Sequence, residues 1–235
     1  MKRSRQALSN KVQEPIHFLH IGKCAGTQIA HAIEILNQDY GKTVIKKQPH
    51  GVYLRDIPQE AQYFFSIREP LSRFRSGFYS RKRKGMPRYK VEWNSGEAKA
   101  FADFEHANDL AEALFEDGER GQLAFSAIRS IRHTARNQVD WFVLDGDFLE
   151  NRPPLWIIRQ ERFADDMARL SERLGEDLEI LGSSAPKDQT ERHSNDYTGV
   201  PDFSEKAIAS LTRWYAQDIA FYAHCERWLD GQTVV

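Results

Sequence analysis

The sequence predicts an α/β fold, a central parallel β-sheet covered by helices. Two observations carry this. Short apolar runs alternate with amphipathic stretches of helical length, the order that produces a parallel sheet. The 235 residues are 40% apolar and 11% aromatic, enough for one sizeable core. No repeat, low-complexity tract or second core interrupts the pattern. The chain 1–235 therefore reads as one domain, with residues 1–14 as a polar, flexible leader.

The elements follow in order. Ile16-His17-Phe18-Leu19-His20-Ile21, ending at Gly22, reads as a buried strand. Gly26-Thr27 opens a helix with Ile29, Ile33 and Leu36 on one face, and Gly41 and Pro49 punctuate the connection after it. Tyr63-Phe64-Phe65-Ser66-Ile67 is the second clear strand. Pro70, suited to a first helical turn, starts a helix that runs to about Lys84. Residues 98–133 read as helix in at least two pieces, broken near Gly118 and Gly121. Trp141-Phe142-Val143-Leu144 reads as a short strand and Leu155-Trp156-Ile157-Ile158 as a stronger one. A helix carrying Phe163, Met167, Leu170 and Leu174 stops at Gly175. Residues 182–202 read as a long loop. A last helix from Ser204 puts Ile208, Leu211, Tyr215, Ile219 and Tyr222 on one face.

Composition excludes several classes. Two cysteines, Cys24 and Cys225, rule out a disulfide scaffold, and no four-ligand zinc spacing occurs. No apolar run suits a signal peptide or membrane span, so a cytoplasmic location is expected. A net charge of −1 argues against a surface that coats nucleic acid. That charge is unevenly distributed. From Arg68 to Lys90 nine cations face one acid, Glu69; from Glu92 to Glu119 nine acids face Lys99 and Arg120. The blocks read either as two solvated faces or as an anion site in the basic segment.

Two motifs favour the anion site. Gly22-Lys23-Cys24-Ala25-Gly26-Thr27 lies between a strand and a helix, where unpaired backbone N–H groups and the helix dipole favour an anion. Lys23 adds a mobile charge and Thr27 a hydroxyl. The order differs from a nucleotide-triphosphate P-loop, in which Lys and Ser or Thr end the loop. The second motif, Arg68-Glu69-Pro70 with Arg73, Ser76 and Phe78, also leaves the C-terminal end of a strand, the edge where parallel sheets bind ligands. Arg68 enters that crevice directly, and Ser76 stands about two turns along the helix. Phe74 and Phe78 read as core; Arg75, Tyr79 and Arg83 form a second stripe, at the site or its rim.

Together the motifs resemble those of sulfotransferases that use 3′-phosphoadenosine 5′-phosphosulfate (PAPS), in the carbohydrate branch that includes heparan sulfate 2-O-sulfotransferase and soluble bacterial proteins. The branch's 5′-phosphosulfate loop reads P-K-[TC]-[GA]-[GS]-T, with Gly22 here replacing the proline; its 3′-phosphate motif reads R-[DE]-P-x-x-R-x-x-S-x-[FY], met throughout. The likeness covers about residues 15–90. It implies a P-loop-like three-layer sandwich and residue roles. Lys23 stabilises the departing nucleotide; Cys24, Ala25, Gly26 and Thr27 hold the 5′-phosphate through backbone N–H groups and the Thr27 hydroxyl. Arg68 and Ser76 hold the 3′-phosphate. His50, in Gln48-Pro49-His50-Gly51, stands where relatives carry a histidine base. PAPS is the co-substrate and 3′-phosphoadenosine 5′-phosphate (PAP) the product, with no metal required. Lys187, Thr190 and Arg192 resemble contacts from a late loop that closes over the nucleotide.

Glu69 reads as structural, His17 and His20 as packing residues, and Cys24 not as a nucleophile. Arg159-Gln160-Glu161-Arg162 follows a strand end and reads as site support. Arg129 to His133 reads equally as an acceptor pocket using Arg132 and His133 or as a plain helix end. The acceptor is a glycan or small molecule, with no nucleic-acid partner, no integral membrane segment and the oligomeric state open. The main alternative is a P-loop kinase or NTPase, with Asp145 as the magnesium ligand. An RNA-binding module lacks an aromatic stacking platform.

Overall fold

The strands form in the most apolar segments. The computed structural model describes residues 14–87, 89–142, 147–175 and 197–232. Its sheet contains β1 (Ile16–Leu19), β2 (Ile45–Lys47), β3 (Tyr63–Ile67) and β4 (Ile157–Arg159), ordered β2-β1-β3-β4 and parallel throughout. The register pairs Ile16 with Ile45, Phe18 with Phe64 and Phe65 with Ile157. β1 and β3 are buried along their whole length, as central strands covered on both faces must be. β2 buries only Ile45 and exposes Lys46 and Lys47, an edge strand whose lysines hide it from an apolar scan.

Helices cover the sheet. Helix α1 (Gly26–Tyr40) buries Ile29, Ile33 and Leu36, which line a small apolar cleft with Phe64 and Met167. Phe18 stacks on Phe64 at 5.1 Å. The next residue of β3, Phe65, projects to the opposite face and packs on Phe142 at 4.6 Å and Phe148 at 5.9 Å. Trp141 and Phe142 therefore do not form the expected strand. Val139–Phe142 is a 3₁₀ turn, because seating Phe142 against Phe65 and Phe148 outweighs its β preference. Val143 to Asp145 lie outside the described residues.

The remaining helices are α2 (Pro70–Lys82), α3 (Ser95–Asp103), α4 (Ala107–Ala113), α5 (Glu119–Ser130), the short α6 (Phe148–Asn151), α7 (Phe163–Leu174), α8 (Glu205–Trp214) and α9 (Ala216–Gln232). Gly121 does not break a helix. It lies inside α5, where a Cβ would stand 1.9 Å from the Glu116 carbonyl oxygen, so glycine permits the close approach. The last helix is two helices, and Ile208 is exposed while Leu211 and Tyr215 are buried.

The chain folds into two compact units. The first holds the described residues among 1–68, 138–188 and 222–235, with the sheet, α1, α6 and α7; the second holds those among 69–137 and 189–221. The second unit has its own core, with Phe74, Phe78, Phe104, Leu110, Ile128 and Tyr215 inside. Among the described residues no helix is long and apolar enough to cross a membrane.

Candidate functional site

The strand order puts a switch point between β1 and β3: the chain leaves β1 toward β2 on one side and returns to β3 on the other. Ligands in open parallel sheets bind beyond the carboxyl ends of strands at such a point. Lys23 to Thr27 follow β1, His50 follows β2 and Arg68 follows β3. All three therefore gather at one edge of the sheet in the first unit.

The first loop is tightly wound. Lys23 and Ala25 have φ of 69° and 57°, the left-handed region that costs a residue with a Cβ about 1–2 kcal/mol. Ala25 ends in that conformation as the N-cap of α1, without a side-chain capping bond. Cys24 between them is fully buried; its thiol donates to Gln138 Oε1 at 3.2 Å, and its carbonyl accepts the Ser66 hydroxyl from β3 at 2.5 Å. Cys24 thus anchors the loop. Lys23, Ala25 and Thr27 are partly exposed around it.

Gln138 is the connection that sequence reasoning missed. Fully buried, its Oε1 accepts from the Arg68 N–H at 2.9 Å and its Nε2 donates to the Arg68 carbonyl at 2.8 Å. One amide side chain therefore closes both backbone groups of Arg68 and holds the Cys24 thiol. Nothing in its local sequence marks it, since Arg68 and Cys24 lie 70 and 114 residues away.

His50 is exposed at the turn after β2. Its Nδ1 lies 2.9 Å from the His20 carbonyl oxygen, and its own carbonyl accepts from Trp141 Nε1 at 3.1 Å. A carbonyl only accepts, so Nδ1 carries the hydrogen, and in the neutral ring Nε2 is the basic nitrogen. His17, by contrast, is 7% exposed and takes a hydrogen bond from Gln48 Nε2 at 2.7 Å. Burial, and then the positive Lys46 and Arg152, hold its imidazole below the ordinary value, against a small opposing effect of Glu14. His17 is a neutral core residue.

In the second unit, Glu69 is the N-cap of α2. Its carboxylate accepts from the N–H groups of Leu71 at 2.9 Å and Ser72 at 2.6 Å, a structural role. Ser76 is buried on α2. Arg132 is exposed and donates its backbone N–H to Glu97; His133, at φ 73°, turns the chain at the end of α5, with its Cβ 3.3 Å from where a Cβ on Gly77 would stand. Lys187, Thr190, Arg192 and the alternative magnesium ligand Asp145 lie outside the described residues.

The basic block as a whole does not gather its charge for an anion: five of its cations beyond Arg68 pair with acids. Arg73, 2% exposed, pairs with Asp218 at 3.7 Å and donates to the Arg136 carbonyl. Arg75 pairs with Asp202 at 3.2 Å and lies over the Tyr197 ring. Arg81 pairs with Glu97 at 2.7 Å, Lys82 with Glu105 at 2.6 Å and Lys84 with Glu92 at 2.5 Å. Tyr79 is likewise buried, its hydroxyl accepting from the Ala107 N–H at 3.2 Å rather than facing a rim. Arg159, at the end of β4, is committed to Asp166 through Nε at 2.9 Å and Nη2 at 2.8 Å.

The arrangement in the first unit can bind an anion at the start of α1, place Arg68 beside it and offer an imidazole nitrogen as proton acceptor. No family model, curated protein or solved structure matches the chain.

Proposed function

We propose that the chain is a sulfotransferase that moves a sulfuryl group from PAPS to an acceptor hydroxyl, on a carbohydrate. The observation that carries this reading is the Gln138 clamp, which ties the loop of the first motif and Arg68 of the second to one side chain at the switch point. A cofactor with phosphates at two positions needs two anion sites in fixed register; an ordinary strand-to-helix turn does not.

In this reading the acceptor oxygen attacks sulfur in line. A new O–S bond forms, and the S–O bond to the 5′-phosphate breaks with its electron pair on the leaving phosphate. His50 Nε2 takes the acceptor's proton. Lys23, with the backbone N–H groups from Ala25 to Thr27 and the Thr27 hydroxyl, stabilises the leaving charge. Arg68 takes the 3′-phosphate, and PAP departs. No metal is needed.

Calorimetry with PAP and with ATP·Mg tests the reading. Tight PAP binding that is indifferent to magnesium is expected, and a strict preference for ATP·Mg overturns it in favour of a kinase. A PAPS-dependent acceptor screen, read as a mass gain of about 80 Da, then identifies the acceptor. With that acceptor, Lys23→Ala is expected to slow turnover by about 10²–10³ and His50→Ala by about 10²–10⁴. Full transfer by both variants with unchanged PAPS affinity would show the roles to be misassigned.

A further inference from the structure

His20 was expected to be a packing residue, yet it touches both halves of the proposed chemistry. It follows β1 directly. Its ring lies 3.9 Å from the His50 ring, centroid to centroid, at 37°, and 5.4 Å from the Phe18 ring. Its carbonyl accepts the His50 Nδ1 hydrogen bond. Toward α1, the ring sits on Gly26: a Cβ there would stand 1.9 Å from His20 Nε2 and 2.3 Å from Cδ2. With the ring in this place, only hydrogen fits beneath it. Gly26 does not have a positive φ, so its backbone would accept alanine; the His20 ring would have to shift to admit it. The glycine in the loop is thus explained by the histidine above it.

We infer that His20 is a positioning residue: its ring, seated on Gly26, is the spacer that fixes the His50 imidazole relative to the phosphate loop. In-line transfer needs the proton acceptor on one side of the sulfuryl group and the leaving phosphate on the other, at a set separation. Here one imidazole bridges the two, wedged between the base and the first residue of α1. The role in transfer rests on the sulfotransferase reading; the interlock of His50, His20 and Gly26 does not.

Two experiments on the full chain test it, one without any cofactor. Nitrogen-15 NMR of the ring nitrogens at a pH where His50 is neutral is expected to show a single His50 tautomer, with hydrogen on Nδ1. His20→Ala lets the ring turn and averages the two tautomers, and His20→Phe, which keeps a ring on Gly26, restores the single one. A native His50 signature in His20→Ala overturns the inference. In the second, Gly26→Ala is expected to weaken PAP at least about tenfold, by forcing a methyl into the His20 ring. Adding His20→Ala to that variant removes the obstacle and returns PAP affinity to within about threefold of the native chain. A double variant as impaired as Gly26→Ala, or one that fails to fold, shows that His20 is not what Gly26 accommodates and overturns the inference. Native protein that ignores PAP but shows the His20-dependent tautomer sinks the sulfotransferase reading and leaves the interlock standing.

Discussion

The two units handle positive charge in opposite ways. In the second, the basic block is neutralised close to home: Arg81, Lys82 and Lys84 on or just after α2 meet Glu97, Glu105 and Glu92 of the acidic stretch that follows in sequence. In the first, Lys23 and Arg68 stand at strand ends, and Arg68 is held through its backbone by an uncharged amide, Gln138. A dense run of cations next to a dense run of acids is thus a folding device. Cations set at the carboxyl edge of a parallel sheet are the better pointer to a ligand.

The largest effect is expected where the second unit buries its charge. Arg81 and Glu97 are 3% and 0% exposed, and Glu97 also accepts from the backbone N–H groups of Asn94 and Arg132. Glu97→Ala strands a buried guanidinium and should cost about 3–5 kcal/mol, read as a lowered midpoint in urea denaturation. Wild-type stability there would refute the pairing. The same carboxyl sets an acid limb. Burial alone would raise its pKa, but the hydrogen bonds from Arg81, Arg132 and Asn94 outweigh burial and hold it below the usual carboxylate range. The folded value is below the unfolded one, so the contribution is present above the unfolded value of about 4.3 and is lost as pH falls through the folded one. Stability measured against pH should fall below about pH 4 in the native chain and more shallowly in the Glu97→Ala variant.

Next in size is the clamp of the first unit. Gln138→Leu leaves the Arg68 N–H and C=O without their partners, each costing about 1–3 kcal/mol if it stays buried. The loss should appear in PAP affinity as well as in thermal stability, because Gln138 holds the Cys24 loop and Arg68 together. A variant that is less stable but binds PAP at the native affinity would reduce Gln138 to a packing residue.

How much of this was legible in the sequence depended on whether the physics was local. β1 and β3 were legible because every residue in them is buried and apolar runs mark that. α7 was legible from its spacing and the left-handed cap at Gly175, φ 69°. The loop at 22–27 and the strand end at Arg68 were legible because a strand–loop–helix junction leaves a short motif. Edge strand β2 was hidden by its two lysines, and Phe142 left the expected strand for an aromatic contact with Phe65, far away in sequence. Gln138 could not be found at all from a single sequence, since its meaning lies in long-range partners. The charge blocks were visible, but their pairing was not: which acid meets which cation depends on how α2 and α3 pack.

The smallest effect should come from the outermost of those pairs. Lys84 and Glu92 lie 2.5 Å apart, with side chains 32% and 61% exposed, and Lys84 also lies 4.8 Å from the centre of the Trp93 ring. Solvent screens such a pair, and ordering two long side chains offsets most of what remains, so Lys84→Ala should change stability by about 0–1 kcal/mol. If the basic block served an anion, the same variant would also weaken PAP binding and flatten its salt dependence. The paired arrangement predicts that neither changes. Titrating PAP at two ionic strengths into the native chain and Lys84→Ala separates the cases, and a weakened, salt-sensitive affinity would return the basic block to the binding site.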